Sequence, residues 1–196
     1  MQIVDHDERR RGIVEAAKRL ILAGGFSAAT MRTIAAEAGY ANGALKYYFP
    51  AGKEAIVVAA FQSVLEEIEM RATVSAADEP LLRLRRYLRS WFPVDAADIP
   101  RGRVLIEIWE YATSSETVAE LYAGYLIRWR EQIEEHLLRA YASEAIRRRP
   151  PYEAIADEYL SFLMGSVVMN LIHPEGDHLA SVDAYLEELL ARLQRV

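Results

Sequence analysis

Apolar residues recur every three or four positions along nearly the whole chain, which is the period of an amphipathic helix. No stretch shows the strict alternation of apolar and polar residues that is typical of a strand. Glycine and proline interrupt the helical pattern and divide it into about nine segments. The sequence therefore predicts an all-α fold, with helices over residues 7–23, 31–38, 42–48, 53–71, 80–91, 103–111, 116–142, 152–172 and 181–195.

The second and third helices are short and lie close together in the sequence. A turn that contains Gly39 joins them, and two short helices linked in this way form a helix-turn-helix. Thr30 is placed to cap the start of the first helix, and Gly39 to end it. Ile34 is expected to face inward from this helix, and Leu45 and Phe49 from the next.

The third helix begins with small residues on its outer face. These residues are Ala41, Asn42, Gly43 and Ala44. A glycine inside a helix costs about 1 kcal/mol relative to alanine, so Gly43 calls for a reason. Close approach to a DNA backbone or base edge is one reason, and termination of the helix is the alternative. The apolar spacing continues from Leu45 to Phe49, which favours DNA over an ordinary helical hairpin.

From about Ile13 to Ile56 the sequence resembles the TetR family of transcriptional repressors. The residues that carry the resemblance are Gly25-Phe26, Thr30 to Ala35, Ala38-Gly39, Gly43-Ala44-Leu45, Tyr48-Phe49-Pro50 and Lys53-Glu54. The resemblance implies an N-terminal three-helix DNA-binding domain over residues 1–52. It also implies a C-terminal helical domain over 53–196 that binds an effector and dimerises, with helix 53–71 connecting the two.

The second half is similar to repressors related to the choline-responsive regulator BetI. The matching residues are Trp109, Tyr125, Trp129-Arg130, Gly165 and Leu171 to Pro174. In the third helix, two residues depart from the TetR pattern. Ala41 stands where a serine or threonine usually caps the helix, and Lys46 stands where the family usually has tyrosine. A lysine can hold a phosphate as a point charge, so altered contact geometry is expected.

The expected DNA-binding residues cluster around the helix-turn-helix. They are Thr30, Arg32, Ala41, Asn42, Gly43, Ala44, Lys46, Tyr47, Tyr48 and Lys53. Asn42 is expected to pair with adenine, and the methyl group of Ala44 to contact a thymine methyl. The expected phosphate ligands are Thr30, Lys46, Tyr47, Tyr48 and Lys53. Arg32 is a base or phosphate ligand or, equally, a solvated arginine, and Tyr48 has a core position as its alternative.

Charge is distributed unevenly along the chain, which has a formal net charge of −6. Residues 1–60 hold eight Lys/Arg and six Asp/Glu, which makes this part +2. Residues 61–196 hold 15 Lys/Arg and 23 Asp/Glu, which makes the remainder −8. A basic N-terminal part on an acidic protein is compatible with local phosphate contacts.

Composition excludes several classes of site. The 196 residues include no cysteine, which excludes disulfides, thiolate metal sites and cysteine nucleophiles. No catalytic or metal-binding motif is recognisable, so no enzyme activity, cofactor or metal is expected. The apolar run from Tyr159 to Ile172 has 14 residues, whereas a membrane helix needs about 20. Charges throughout the first 25 residues do not fit a secretory signal. We therefore expect a cytoplasmic protein with no membrane span.

Aromatic residues concentrate in the second half, where several share one helix face. Such a stripe is either core or part of a ligand cavity, since small-molecule sites are mostly apolar with a few polar groups. The predicted pocket residues are Trp109, Tyr122, Tyr125, Trp129, Phe162, Ser166, Met169, Asn170 and His173. Glu107 and Glu110 share a face beside the more apolar face of Trp109. This arrangement favours a neutral aromatic or lipid-like ligand, and a cation only if either carboxylate faces inward.

The last two helices carry more apolar surface than a small domain needs, which predicts a dimer interface, with a monomeric core as the alternative. The predicted interface residues are Leu160, Leu163, Val167, Leu171, Val182, Tyr185, Leu186, Leu189 and Leu193. The resulting hypothesis is a homodimeric repressor that binds a palindromic operator in double-stranded DNA and releases it when a small-molecule inducer binds. The alternative is an all-helical small-molecule-binding or enzymatic protein whose helix-turn-helix is only structural.

Overall fold

The computed structural model describes residues 3–71, 79–92, 99–173 and 178–195, and within these ranges every regular element is a helix. The helices are α1 (Ile3–Ala28), α2 (Met31–Ala38), α3 (Asn42–Tyr48), α4 (Lys53–Arg71), α5 (Pro80–Ser90), α6 (Ile99–Ala112), α7 (Glu116–Ala142), α8 (Glu153–Ile172) and α9 (His178–Gln194). The predicted all-α architecture is confirmed. The predicted bounds of α2, α3, α4 and α7 are those observed.

A pair of glycines interrupts α1 where the predicted first helix ends. Gly24 (φ −143°) and Gly25 (φ 72°) are both non-helical, and a short turn continues from them to Ala28. A Cβ atom on Gly25 would lie 2.9 Å from Oε1 of Glu107. The positive φ and the adjacent carboxylate therefore both favour glycine at this position.

Local capping defines both ends of α2. The Thr30 hydroxyl accepts a hydrogen bond from the Thr33 amide at 3.1 Å, and the Thr33 hydroxyl accepts one from the Thr30 amide at 2.8 Å. This reciprocal pair is a capping box. Gly39 ends the helix in the left-handed conformation, with φ 74°. Ala41 precedes α3 and provides no side-chain cap, as its departure from the family pattern predicts.

The chain divides into two compact units. The N-terminal unit comprises Met1–Glu67 with Arg103–Leu121, and the C-terminal unit comprises Ile68–Gly102 with Tyr122–Val196. The domain boundary at residue 52 stays a prediction. By packing, α4 as far as Glu67 and most of α6 lie with the first three helices. Phe26 stacks on Tyr111 of α6, with ring centroids 4.2 Å apart.

The core of the N-terminal unit is formed where α1 packs against α2 and α3. Ile13, Ile34 and Leu45 are completely buried there, and Phe49 is nearly so. The inward face predicted for the helix-turn-helix is confirmed at these positions. Burial of each large apolar side chain contributes about 1.5–3 kcal/mol, so this core fixes the orientation of α3.

The C-terminal unit is built around α5, α8 and α9. Tyr159 of α8 is completely buried, and its hydroxyl donates a 2.6 Å hydrogen bond to the Leu88 carbonyl. Arg89 of α5 pairs with Asp183 of α9 at 2.9 Å. Among the described residues, α8 alone is long and apolar enough to meet the requirements for a membrane span. Its buried, hydrogen-bonded tyrosine is nevertheless typical of a core helix.

Candidate DNA-binding surface and effector region

The recognition helix α3 exposes one polar side. Asn42, Gly43, Lys46 and Tyr47 are exposed, and 72% of Tyr47 is accessible. Ala44 is half-buried between the two faces. Because Leu45 and Phe49 anchor the opposite side in the core, the exposed residues form a rigid row.

Gly43 lies in open space on this row. A Cβ atom built there meets no atom within 4 Å. Internal packing therefore provides no reason for glycine at a position where it weakens the helix by about 1 kcal/mol relative to alanine. Space for an approaching molecule remains the explanation that the sequence suggested.

Two further predicted DNA-binding residues, Thr30 and Arg32, lie at the start of α2. Arg32 is exposed. The Thr30 hydroxyl is exposed too, although it already forms the cap of α2. A capping hydroxyl can still accept a further bond or donate one to a phosphate. Thr30 is thus compatible with both a structural and a DNA-binding role.

Lys53 has a different position from the one expected of a phosphate ligand. Its Nζ lies 3.8 Å from the Phe26 ring centroid and donates a hydrogen bond to the Phe26 carbonyl at 3.4 Å. Burial lowers the pKa of Lys53. The side chain holds the start of α4 against the C-terminal end of α1, because the aromatic face and the carbonyl both attract its charge.

Tyr48 occupies the core position that was its alternative. Only 9% of the side chain is exposed, and its hydroxyl accepts a 3.4 Å hydrogen bond from Nη1 of Arg9. Arg10 also reaches the end of α3, where its Nη1 donates to the Tyr48 carbonyl at 3.3 Å. Sequence reasoning missed these contacts, although the run of arginines from Arg9 to Arg11 was a visible signal.

Glu107 supports the glycine turn of the N-terminal unit. Its Oε2 accepts a hydrogen bond from the Phe26 amide at 2.8 Å, whereas Glu110 is exposed. The two carboxylates line an open cleft of about 440 Å³, together with Gly24, Gly25, Phe26, Ser27, Tyr111 and Ser114. Both carboxylates belong to the N-terminal unit. Glu107 and Glu110 therefore do not decide whether the ligand is a cation or a neutral molecule, and other residues have to be considered.

Three predicted pocket residues of α7 lie together in the C-terminal unit. The ring of Trp129 contacts those of Tyr122 and Tyr125, with centroids 6.1 Å and 5.8 Å away, and Trp91 lies 5.3 Å away on another side. We call Trp91, Tyr122, Tyr125 and Trp129 the aromatic cluster. All four are buried. Their edge-to-face and tilted packing is the arrangement that aromatic rings prefer.

A carboxylate that sequence reasoning missed borders the aromatic cluster. Oε1 of Glu69 accepts hydrogen bonds from Nε1 of Trp129 at 3.0 Å and from Nε of Arg128 at 2.8 Å. The Arg128 guanidinium also lies 4.2 Å from the centre of the Tyr125 ring. The cluster therefore already binds one cation, between a carboxylate and an aromatic face.

The remaining predicted pocket residues are divided between the N-terminal unit and α8. Trp109 belongs to the N-terminal unit. Phe162 stacks on Tyr185 with centroids 3.8 Å apart, as part of the packing between α8 and α9. Met169 and His173 are exposed, and Ser166 and Asn170 are half-buried. Phe162, Ser166, Met169 and His173 recur at helical spacing, and exposure along this stripe increases towards its C-terminal end.

Most of the predicted dimer residues are buried within the single chain. They are Leu160, Leu163, Val167, Val182, Leu186, Leu189 and Leu193, while Leu171 and Tyr185 are half-buried. These stripes face each other inside the C-terminal unit because α8 and α9 pack together. The large apolar residues that α8 leaves exposed are Met169 and Ile172. The assignment of these residues to a dimer interface stays a prediction.

Both halves of the chain match one family of regulators. Residues 13–60 match bacterial regulatory proteins of the tetR family, and residues 80–195 match the C-terminal region of BetI-type transcriptional repressors. The second match alone covers more than half of the chain. The chain belongs to the TetR family. The two matched models describe bacterial regulatory proteins and transcriptional repressors.

A bacterial regulator resembles part of the chain at moderate identity. The HTH-type transcriptional regulator PksA of Bacillus subtilis is 32% identical over 111 residues, which cover 56% of this chain and 54% of PksA. The chain thus spans about half the length of that relative.

Solved structures extend the similarity of fold to nearly the whole chain. A TetR regulator from Haloarcula marismortui has a TM-score of 0.85 at 16% identity, covering 96% of this chain and 100% of the other. A putative regulator from Saccharomonospora viridis, solved in complex with choline, has a TM-score of 0.80 at 22% identity, covering 94% of this chain and 96% of the other.

Proposed function

We propose that this TetR-family protein represses transcription by binding operator DNA through the exposed row of α3. The observation that carries the proposal is the rigid, small-residue surface around Gly43, which has space for a base edge or backbone. Asn42 is suited to pair with adenine, and Ala44 to contact a thymine methyl. Lys46 and Tyr47 are suited to hold phosphates, as are Thr30 and Arg32 at the start of α2.

A homodimer would present two recognition helices to a palindromic operator, with half-sites about 34–36 Å apart. The support comes from α8, because only 28% of its most apolar stretch is buried inside the chain. Met169 and Ile172 are exposed, at 53% and 75%. Exposed apolar surface of this kind is typical of an interface with a second copy.

We further propose that the inducer binds at the aromatic cluster of the C-terminal unit. Tyr125 and Glu69 already hold the Arg128 guanidinium, so the cluster has the chemistry of a cation site. A ligand that carries an amine or quaternary ammonium group would replace Arg128 there. The choline-bound Saccharomonospora protein supports this class of ligand over the neutral one that the positions of Glu107 and Glu110 suggested.

Induction requires that the inducer bind one conformation of the dimer more tightly than the other. We propose that the favoured conformation separates the recognition helices from the half-site spacing of the operator. Equal affinity for both conformations would leave DNA binding unchanged. The protein acts in this scheme as a cytoplasmic regulator with no enzymatic step, no cofactor and no membrane span.

The test of DNA binding is selection from a randomised duplex library by the unmodified chain, followed by binding of the selected duplex. Enrichment of a palindrome supports the proposal. Asn42→Ala should relax the sequence preference of the selected duplex at one position of each half-site. Retention of the full preference would contradict the placement of α3 on the base edges.

The test of the inducer compares choline with its neutral isostere 3,3-dimethyl-1-butanol by calorimetry. Choline is expected to bind at least about tenfold more tightly, because only the cation gains from a desolvated aromatic face. Trp129→Phe, which keeps an aromatic ring but removes the donor to Glu69, should weaken this binding and leave operator affinity unchanged. A preference for the neutral alcohol would return the choice to an apolar inducer.

A further inference from the structure

The N-terminal part of α1 contacts the C-terminal end of the recognition helix. Nη1 of Arg10 donates to the Tyr48 carbonyl at 3.3 Å, and its guanidinium carbon lies 4.3 Å from the centre of the Phe49 ring. Nη1 of Arg9 donates to the Tyr48 hydroxyl at 3.4 Å. Two adjacent arginines, which are distant from α3 in the sequence, are thereby held at its C-terminal end.

The position suits positive charge and is open to a ligand. The C-terminal end of a helix attracts cations because its last carbonyl groups lack partners within the helix. Both arginines remain exposed, as does Tyr47, which directly precedes Tyr48 in α3. A guanidinium group has five N–H donors. Arg10 uses one donor for the Tyr48 carbonyl and packs against the Phe49 ring, so its other donors stay accessible.

The recognition segment itself has little positive charge. Residues 30–49 contain two cations, Arg32 and Lys46, against one carboxylate, Glu37. Lys53, the next cation along the chain, is bound to Phe26. Affinity for duplex DNA depends largely on the number of phosphates that cations neutralise. Arg9 and Arg10 would double the number of cations on this surface.

We infer that Arg9 and Arg10 form a second phosphate-binding element, which flanks the recognition helix, with Tyr48 as the positioning residue. The inference rests on the proposed DNA contact through α3. Tyr48 would act through its buried ring, its hydroxyl and its carbonyl rather than by touching DNA itself. The arginines would bind the backbone beside the groove that α3 enters, and so raise affinity for every sequence alike.

The chain offers a matched control in Arg11. This residue has the same charge and is also exposed, but it lies one position further along α1, about 100° around the helix from Arg10. Among the described residues it forms no hydrogen bond, ion pair or cation–π contact with α3. Arg10→Gln and Arg11→Gln each remove one positive charge. Only the first removes it from the end of the recognition helix.

The experiment measures binding of the full chain to the duplex selected by the unmodified protein and to a random duplex, across a series of salt concentrations. Arg10→Gln should weaken binding to both duplexes by about fivefold at physiological salt and lower the salt slope by about one. Arg11→Gln should change neither by more than about twofold, because its charge remains solvated and screened. Equal effects of Arg10→Gln and Arg11→Gln would mean that the arginines contribute only through the net charge of the chain, and would overturn the inference.

The positioning role of Tyr48 is tested by Tyr48→Phe, which keeps the ring but removes the acceptor for Arg9. Arg9→Gln should weaken DNA binding in the unmodified chain and have a smaller effect in the Tyr48→Phe chain. Additive effects would overturn the positioning role. Unchanged melting temperatures confirm that each variant is folded, and Arg10→Lys should restore most of the salt slope.

Lys46→Ala, measured in parallel, separates this inference from the proposed DNA contact. If Lys46→Ala weakens binding and Arg10→Gln does not, α3 binds DNA but the flanking element is wrong. If neither weakens binding, the placement of α3 on DNA is wrong as well. If the unmodified chain retains no duplex, both proposals are overturned.

Discussion

The helix-turn-helix and the α8–α9 pair show opposite relations between sequence and exposure. In α3, the side expected to face inward is buried at Leu45 and Phe49, and the small polar side is exposed. In α8 and α9, residues expected at an outer interface, such as Leu163 and Leu189, are buried inside the chain. Apolar periodicity determines orientation only when one side of a helix is clearly polar.

The physical basis of this contrast is the width of the apolar stripe. A helix with a narrow apolar stripe has one favourable way to bury it, whereas a helix that is apolar nearly all round has several. From Tyr159 onward, α8 has no charged residue until its end. Its inner side is selected by α5 and α9, which contribute the carbonyl of Leu88 and the stacked ring of Tyr185 as partners.

The largest expected effect is a difference in stability between substitutions on the buried side and on the exposed side of the α8–α9 pair. Leu189→Glu should destabilise the fold by more than about 3 kcal/mol, because it replaces a buried leucine by a carboxylate. Ile172→Glu should leave stability nearly unchanged and yield monomers. Urea unfolding and analytical ultracentrifugation measure the two outcomes. Unaltered stability of the Leu189→Glu chain would contradict the burial of this stripe, and a dimeric Ile172→Glu chain would move the interface away from α8.

On the recognition helix, Asn42→Ala should cost about 1–3 kcal/mol in binding to the selected operator and little in binding to random DNA. The residue is exposed, so folding stability should not change. Anisotropy titrations with matched and mutated half-sites measure the discrimination. Equal losses of affinity for both duplexes would mean that Asn42 contacts the DNA backbone and not a base.

Two lysines at the ends of the same motif should behave differently. Lys46→Ala should lower the salt slope of DNA binding by about one, because it removes an exposed phosphate ligand. Lys53→Ala should instead lower the melting temperature and leave the slope unchanged, since its ammonium group is held by Phe26. Salt titrations and thermal unfolding of both variants provide the measurements. A reduced slope for Lys53→Ala would mean that DNA draws the side chain away from Phe26.

The smallest expected effect concerns Gly43. Gly43→Ala should raise the free energy of unfolding by up to about 1 kcal/mol, because alanine favours the helix and the new Cβ meets no neighbour. The same change should weaken operator binding if DNA approaches the backbone there. A variant that is more stable and binds DNA equally well would show that the glycine has no role in recognition.

The sequence by itself determined the helical class, most helix bounds and the outward side of α3. These features depend on local signals: the capping box of Thr30 and Thr33, the left-handed Gly39, and a short helix with one apolar side. Interactions between residues a few positions apart produce them, so they can be read without knowing the rest of the fold.

Only the tertiary structure decided which residues from distant helices meet. In the structure, Glu107 accepts a hydrogen bond from Phe26, Arg9 and Arg10 lie beside Tyr48, and Glu69 accepts a hydrogen bond from Trp129. Polar contacts of this kind leave no periodic signal, because a carboxylate on a helix has the same pattern whether it faces solvent or a buried indole. The inner side of α8 was decided in the same way, by the helices packed against it.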